Sequence, residues 1–320
     1  MKPFLKYPGG KSRHMPKLKR YLRGEGRLIE PFMGSGAVFM GTSYQHYVCA
    51  DINPDLIHLY RYVKARPDDF IRETRKLCQD KNNSEDAYYR LRNEFNASDD
   101  TDRRSQIFYY LNHAGFNGLI RYSKNGFNVP YGRFKHIAFK EKAIRTFSAK
   151  ANATDVSFLC ADFTQTMSLV GPNDDVYLDP PYTPLTKTSD FTAYSGKRFK
   201  SDDHDKLADL SKCAVRGGAR VVLSDHDTPQ CRARYQGSHF EVCQVARHIS
   251  ARGTSRKPVS EVLVDVFCET SEHDRNIEKG EHGVLDDRAG LTWSAATHGV
   301  KGVDDHMKHS ARTSEAAGDE

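Results

Sequence analysis

Asp179-Pro180-Pro181-Tyr182 joins a carboxylate, a run of carbonyls and an aromatic face in four consecutive residues. An exocyclic amine on an aromatic ring, such as that of adenine, shares its lone pair with the ring and is a poor nucleophile. A carboxylate and a backbone carbonyl that accept its two N–H bonds draw the nitrogen towards tetrahedral geometry and free the lone pair. Asp179 and the Pro180 carbonyl have the types and the adjacency for that task. Neither Pro180 nor Pro181 has an N–H to compete, and each biases the residue before it towards an extended conformation. Tyr182 offers a flat face to a base turned out of a duplex. The plainer reading is a strand-ending aspartate followed by a Pro-Pro turn. The preceding run, Asp175-Val176-Tyr177-Leu178, reads as a short buried strand. In open α/β sheets ligands bind outside the carboxyl ends of strands, where this tetrapeptide would stand.

A second group with chemical potential is Glu30-Pro31-Phe32-Met33-Gly34-Ser35-Gly36, between a strand signal at 27–32 and a helix signal from Ala37. Residues without Cβ let the backbone approach a ligand there. A dinucleotide fingerprint would need a third glycine at position 39, which is Phe39, so a smaller nucleoside ligand fits better. Asp51, ending the next strand signal at 47–51, is placed to accept both hydroxyls of a ribose. Gly9-Gly10-Lys11-Ser12 is not a phosphate loop, because the required glycine at position 5 is Leu5. Tyr7 and Lys11 either reach the same nucleoside or belong to a structural turn that exposes the lysine.

Between Asp102 and Glu141 lie 38 residues with no Asp or Glu, seven Lys or Arg and nine Phe or Tyr. Within them residues 116–134 read as a hairpin around Asn125-Gly126. A two-stranded ribbon fits the major groove, where an arginine fork reads guanine O6 and N7. The aromatics serve a core equally well, but a stretch free of carboxylates suits a polyanion. Arg252, Arg256 and Lys257 lie in a loop before the last strand signal, either on phosphates or as a plain solvated loop.

The elements that must position these groups alternate strand and helix over 1–60, turn mainly helical over 68–114, and alternate again from Val156 to Phe267. That predicts a mainly parallel sheet interrupted by a helical insertion of about 90 residues. Seven scattered cysteines without a C-x-x-C pair argue against a disulfide framework or a zinc site and fit a reducing cytosol. No apolar stretch approaches the roughly 20 residues of a membrane span, and the first residues lack the apolar region of a signal peptide. Net charge is +6, divided into +12 over 1–268 and −6 from Glu269 onward, where 12 acidic and 6 basic residues fall. The body therefore suits a nucleic acid, and the tail, poor in apolar residues and without period, is expected to be disordered.

These motifs, in this order, resemble the α-group of the Dam-type DNA adenine-N6 methyltransferases. The likeness runs from Phe4 to about Phe267. It is carried by Phe4-Leu5-Lys6-Tyr7-Pro8-Gly9-Gly10-Lys11, residues 30–36, Ala50-Asp51-Ile52, the hairpin 116–134 and Asp179-Pro180-Pro181-Tyr182. The resemblance implies an α/β fold: a Rossmann-like sheet for S-adenosyl-L-methionine-dependent methyl transfer, with an inserted helical and β-hairpin DNA-recognition domain. It divides the chain into a catalytic domain (1–60 and 150–268), a target-recognition domain (61–149) and the acidic tail (269–320). It implies S-adenosyl-L-methionine as methyl donor, no metal, double-stranded DNA as partner, and a monomer in the bacterial or phage-infected cytoplasm. Asp179, Pro180, Pro181 and Tyr182 would be catalytic. Tyr7, Lys11, Glu30, Pro31, Gly34, Ser35, Gly36, Asp51, Asp162, Phe163 and Asp179 would surround the cofactor. Lys6, Leu119, Arg121 and Pro130 match readers of GATC. Phe116 and Asn117 match residues at the gap left by a flipped base, with Arg133 and Phe134 near it. A non-catalytic DNA-binding protein on the same body is the alternative, against which the intact residues 179–182 and 34–36 stand.

Overall fold

The computed structural model describes residues 2–7, 9–182, 199–245 and 259–268. Helices α1 (Met15–Leu18), α2 (Ala37–Gly41) and α3 (Pro54–Ala65) alternate with strands β1 (Arg27–Glu30) and β2 (His46–Asp51). An insertion follows, with α4 (Pro67–Leu77), α5 (Glu85–Ala97), α6 (Thr101–Ala114), a ladder of β3 (Tyr122–Ser123) with β4 (Gly126–Phe127), and α7 (Glu141–Ala153). Alternation resumes with β5 (Asp155–Cys160), α8 (Phe163–Met167), β6 (Asp175–Leu178), α9 (Ser201–Arg216), β7 (Arg220–His226), α10 (Pro229–Arg234), β8 (His239–Val245) and β9 (Val259–Asp265).

The helices begin where the sequence supplies caps. Asn53 accepts the Asp55 and Leu56 N–H groups ahead of α3, with Pro54 in its first turn. Ser84 and Asp100 do the same for α5 and α6. β1 ends at Glu30, just before Pro31, which has no N–H for a ladder.

The sheet order is β5-β2-β1-β6-β7-β9-β8. β1, β2, β5, β6 and β7 are parallel, while β9 runs antiparallel to β7 and to β8. Alternation along each strand divides the apolar residues between two cores. Leu28, Tyr47, Cys49, Tyr177 and Val222 join the core on the side of the insertion. Ile29, Val48, Val176, Leu178, Val221 and Leu223 join the one with residues of α8, α9 and α10. Both faces are covered, which is why these strands read as continuous apolar runs. The insertion-side core extends through Phe70, Tyr88, Phe95 and Phe108 to Phe127 and Val129 of the hairpin.

Chain order runs outward from β1 through β2 to β5 on one side and from β6 to β7 on the other. The reversal leaves a crevice outside the carboxyl ends of β1 and β6, the switch point where open α/β sheets bind ligands. Residues 30–36 and 179–182 are the two segments that leave those strand ends.

The hairpin is shorter than the sequence suggests. Its continuous ladder is Tyr122–Phe127 and Ser123–Gly126, and a separate antiparallel bridge joins Gly115 to Tyr131 at its base. Before the ladder, residues 116–118 form a 3-10 turn with left-handed backbone at Asn117 (φ 53°) and Gly118 (φ 66°). A Cβ on Gly118 would stand 2.4 Å from Lys6 Cβ, so the close approach also requires glycine.

Candidate active site

The glycine turn after β1 is fastened to the end of β2. Met33 N–H donates to Ala50 O at 2.8 Å, and Gly34 N–H donates to Asp51 Oδ2 at 3.1 Å. Tyr60 Oη donates to Gly34 O at 2.7 Å. Gly34 has φ 48°, and a Cβ there would lie 3.2 Å from the Tyr7 ring. Asp51 Oδ1 accepts the Asn53 N–H at 2.9 Å. Burial raises the Asp51 pKa to about 6 despite those two backbone donors. One donor on each oxygen leaves lone pairs on both for further hydroxyls.

Asp179 stands across the crevice with its side chain 25 % exposed, and Pro180 beside it is buried. Lys11 Nζ lies 3.1 Å from Asp179 Oδ1. The same ammonium donates to the Tyr182 hydroxyl and lies 4.7 Å from the centroid of its ring. Burial pushes the Asp179 pKa up, and the Lys11 charge opposes that shift. The Tyr182 ring meets the His226 ring edge-on at 4.8 Å. Lys11 is buried against Asp179, so the turn does not expose this lysine, although Gly9, Gly10 and Ser12 around it are exposed.

The remaining cofactor candidates lie between the end of β1 and α2 and at the start of α8. Glu30 is 2 % exposed, meets the Cys49 thiol at 3.8 Å, and is pushed up to about 8 by burial. Pro31 and Ser35 are buried, and Gly36 (φ 70°) caps α2. Asp162 caps α8 by accepting the Thr164 N–H. Phe163 is buried and stacks on Phe32 at 5.8 Å between ring centroids.

The DNA-reading candidates gather around the N-terminal segment and the hairpin. The Asn112 amide accepts the Lys6 N–H and donates to Lys6 O, each at 2.8 Å, pinning residue 6 to α6. Lys6 Nζ donates to His113 O at 2.8 Å and lies 4.0 Å from the Phe134 ring centroid. Burial and Lys140 lower the Lys6 pKa. Phe116 is 47 % exposed beside the left-handed Asn117, Leu119 packs on the core, and Pro130 is exposed. Arg121 is exposed, with Nε on Asn128 Oδ1 (2.8 Å) and Nη2 on Asn128 O (2.9 Å), which leaves the Nη1 end of its fork turned away from that bracket. Arg133 pairs with Glu85 at 3.1 Å. Arg252, Arg256 and Lys257, like the tail 269–320, lie outside the described residues.

The segment free of carboxylates in sequence is not free of them in space. Arg103 meets Glu94 and Arg104 meets Asp55, in addition to the Arg133–Glu85 pair. Of its aromatics, Phe108, Tyr109, Tyr110 and Phe127 are core. Among the described residues no cluster of three or more His, Cys, Asp and Glu could hold a metal ion. Among them, too, no helix is long and apolar enough to cross a membrane.

The D12 class N6 adenine-specific DNA methyltransferase model matches residues 7–249 of this chain. The chain belongs to that family. Relatives carry the name DNA adenine methylase. One from Vibrio cholerae is 41 % identical over 262 residues, covering 81 % of this chain and 94 % of the relative. One from Escherichia coli K12 is 41 % identical over 261 residues, covering 81 % and 93 %. One from Serratia marcescens is 43 % identical over 263 residues, covering 81 % and 96 %. The mixed α/β sheet fits the expectation for such an enzyme, and an adenine-specific DNA methyltransferase is what this chain is.

Two groups in this methyltransferase escaped the sequence reading. Glu261, on β9, lies 3.7 Å from Lys11 Nζ, and its Oε2 accepts the Tyr182 hydroxyl at 3.4 Å. His14 Nε2 lies 3.9 Å from that same oxygen. The sequence offered only a carboxylate just ahead of the apolar run from Val262, and it said nothing about the partner.

Proposed function

We propose that the enzyme methylates adenine N6 within GATC in double-stranded DNA, turns the target base out of the helix, and takes its methyl group from S-adenosyl-L-methionine. The observation that carries the reading is the partly exposed Asp179 carboxylate beside the Pro180 carbonyl at the switch point of the sheet. Asp179 and Pro180 O accept the two N6–H bonds and free the nitrogen lone pair, while the Tyr182 face receives the base. The donor set suits the cofactor. Asp51 has lone pairs on both oxygens for two ribose hydroxyls, and the turn 33–36 admits close backbone approach. When bound, the sulfonium group supplies an activated methyl electrophile. Tyr7, Lys11, Asp162 and Phe163 wall that space, and holding both partners in register supplies much of the rate.

Lys6, Leu119, Arg121 and Pro130 read the site, with Arg121 presenting its free edge to a guanine. Phe116 and Asn117, with Arg133 and Phe134 nearby, fill the gap that the base leaves. Basic loops, Arg252, Arg256 and Lys257 among them, hold phosphates, and affinity falls steeply with salt. The enzyme works as a monomer, in the cytoplasm, with residues 61–149 as target-recognition domain and without a metal. Digestion of DNA from expressing cells with nucleases sensitive and insensitive to GATC methylation tests the reading. Protection of GATC sites alone is expected; unprotected GATC sites, or label on RNA or protein in a competition assay, would overturn it.

A further inference from the structure

Lys11 is 4 % exposed, and its ammonium stands between two carboxylates. Asp179 Oδ1 is at 3.1 Å and Glu261 Oε2 at 3.7 Å. Glu261 is itself only 15 % exposed and lies on β9, next to β7 and two strands from β6, the strand that ends before Asp179. Its neighbours Val262, Leu263 and Val264 are buried and apolar. A carboxylate so placed loses hydration and is retained at a cost unless it has a partner to serve. Its partners here are three: the Lys11 ammonium, the Tyr182 hydroxyl and His14.

If Asp179 accepts an amine hydrogen of the target base, that hydrogen competes with the Lys11 ammonium for the electron density of one carboxylate. A buried ammonium left without a counter-charge is strongly disfavoured. Loosening the Lys11–Asp179 contact is therefore cheapest where a second anion stands within a short swing of the lysine stem, and Glu261 is that anion. The swing is a fraction of an ångström to a hydrogen-bonding distance, within the reach of a flexible four-carbon chain. The same Oε2 accepts a long bond, 3.4 Å, from the Tyr182 hydroxyl, so the ring meant to face the base is tied to both the lysine and the group that receives it.

We infer that Glu261 is a positioning residue that takes over the Lys11 ammonium when the substrate amine takes Asp179, and that it orients Tyr182 through the same oxygen. The inference rests on the reading of Asp179 as the amine acceptor. Glu261 touches neither substrate nor cofactor and exchanges no proton with them; it acts through Lys11 and Tyr182.

The test uses the full chain and compares Glu261→Gln, Glu261→Asp, Lys11→Met and the Gln–Met double variant. Single-turnover methyl transfer to a GATC duplex, duplex affinity and melting temperature are measured for each. Glu261→Gln is expected to slow transfer by about tenfold with duplex affinity within about twofold of the parent, and Glu261→Asp to recover part of the loss. In the Lys11→Met background the further effect of Glu261→Gln should shrink to less than about twofold, because the residue it serves is gone. If Lys11→Met is too slow to measure, the acid limb of the Glu261→Gln rate profile decides. With Lys11 held on Asp179 alone and one neighbouring negative charge removed, that limb moves to lower pH. A parental rate in Glu261→Gln, an equal loss in both backgrounds, or an unmoved acid limb would each overturn the inference. Asp179→Ala separates the two ideas: if it retains turnover, the amine-acceptor reading has failed, whereas a dead Asp179→Ala with a normal Glu261→Gln removes only the role of Glu261.

Discussion

Strand β6 begins on one aspartate and is followed at once by another, and the two are held in opposite ways. Asp175 is fully buried, and its Oδ2 accepts the Gly24 N–H at 3.0 Å and the Tyr44 hydroxyl. Asp179 is a quarter exposed and is met by the ammonium of Lys11, at the end of a flexible stem. One carboxylate is held by a backbone N–H and a buried tyrosine, and the other by the tip of a long, flexible side chain. A structural acid and a reacting acid of the same type, four residues apart, are thus told apart by the mobility of what they bind. The opposite ends of the sheet repeat the contrast: Arg27 clasps Asp174 through Nε and Nη2 at the amino end, while Asp51 at the carboxyl end keeps lone pairs open.

The contrast breaks most visibly on removal of each acid. Asp179→Ala should lower single-turnover methyl transfer by roughly a hundred- to a thousandfold, the scale of losing one preorganised electrostatic partner, with little change in melting temperature. Near-parental turnover would show that the mobile acid is not the reacting one. Asp175→Ala should do the reverse. It orphans the buried Tyr44 hydroxyl, while the Gly24 N–H keeps Tyr44 Oη as acceptor, so chemical denaturation should show a loss of about 1–3 kcal/mol while the folded fraction keeps its turnover. Unchanged stability would put the two acids in one class.

A smaller effect sharpens the comparison at the DNA side. Arg121→Ala should cost about 1–3 kcal/mol of discrimination at one base pair of the site, read from rates on single-substituted duplexes. Equal loss on all sequences would reassign Arg121 to phosphate. The pH dependence follows from the directions already given. The pKa of Asp179 is raised by burial, and its ionised form accepts the amine, so activity should fall as pH drops through a value above the ordinary carboxylate range of about 4. An acid limb at or below that range, in the transfer rate, would contradict the assignment.

An effect that shows only as pH is varied concerns Glu30. Its folded pKa of about 8 exceeds its unfolded value, so the folded state holds the proton longer. Its contribution is fully present below the unfolded pKa and is lost as pH rises towards 8, at up to about 1.4 kcal/mol per pH unit. Glu30→Gln should flatten the stability profile between pH 5 and 8, and an unaltered slope in denaturation would place the proton elsewhere.

What could be read from the chain was whatever sits on one strand or one turn. The apolar run 175–178 with its acid-Pro-Pro-Tyr ending is a local pattern, and so is the glycine turn after Arg27-Leu28-Ile29-Glu30. Strand ends followed closely, because Pro31 and the capping residues Asn53, Ser84 and Asp100 act on their immediate neighbours. Lys11 was ambiguous, since its partner is contributed by a strand end far along the chain. Glu261 was silent for the same reason, and its strand starts at Val259, earlier than the apolar run from Val262 suggests. The carboxylate-free segment 103–140 shows the limit of composition: Arg103, Arg104 and Arg133 find carboxylates on Glu94, Asp55 and Glu85, which linear spacing cannot reveal.

Where the target nitrogen comes to rest is the decisive quantity. It can be measured in crystals of the protein with a GATC duplex and S-adenosyl-L-homocysteine. The expected result is N6 at hydrogen-bonding distance, about 2.7–3.2 Å, from both an Asp179 carboxylate oxygen and Pro180 O, with Lys11 shifted to Glu261. A base stacked inside the duplex, or an extruded base whose amine faces away from Asp179 while Lys11 still holds that carboxylate, would contradict the account.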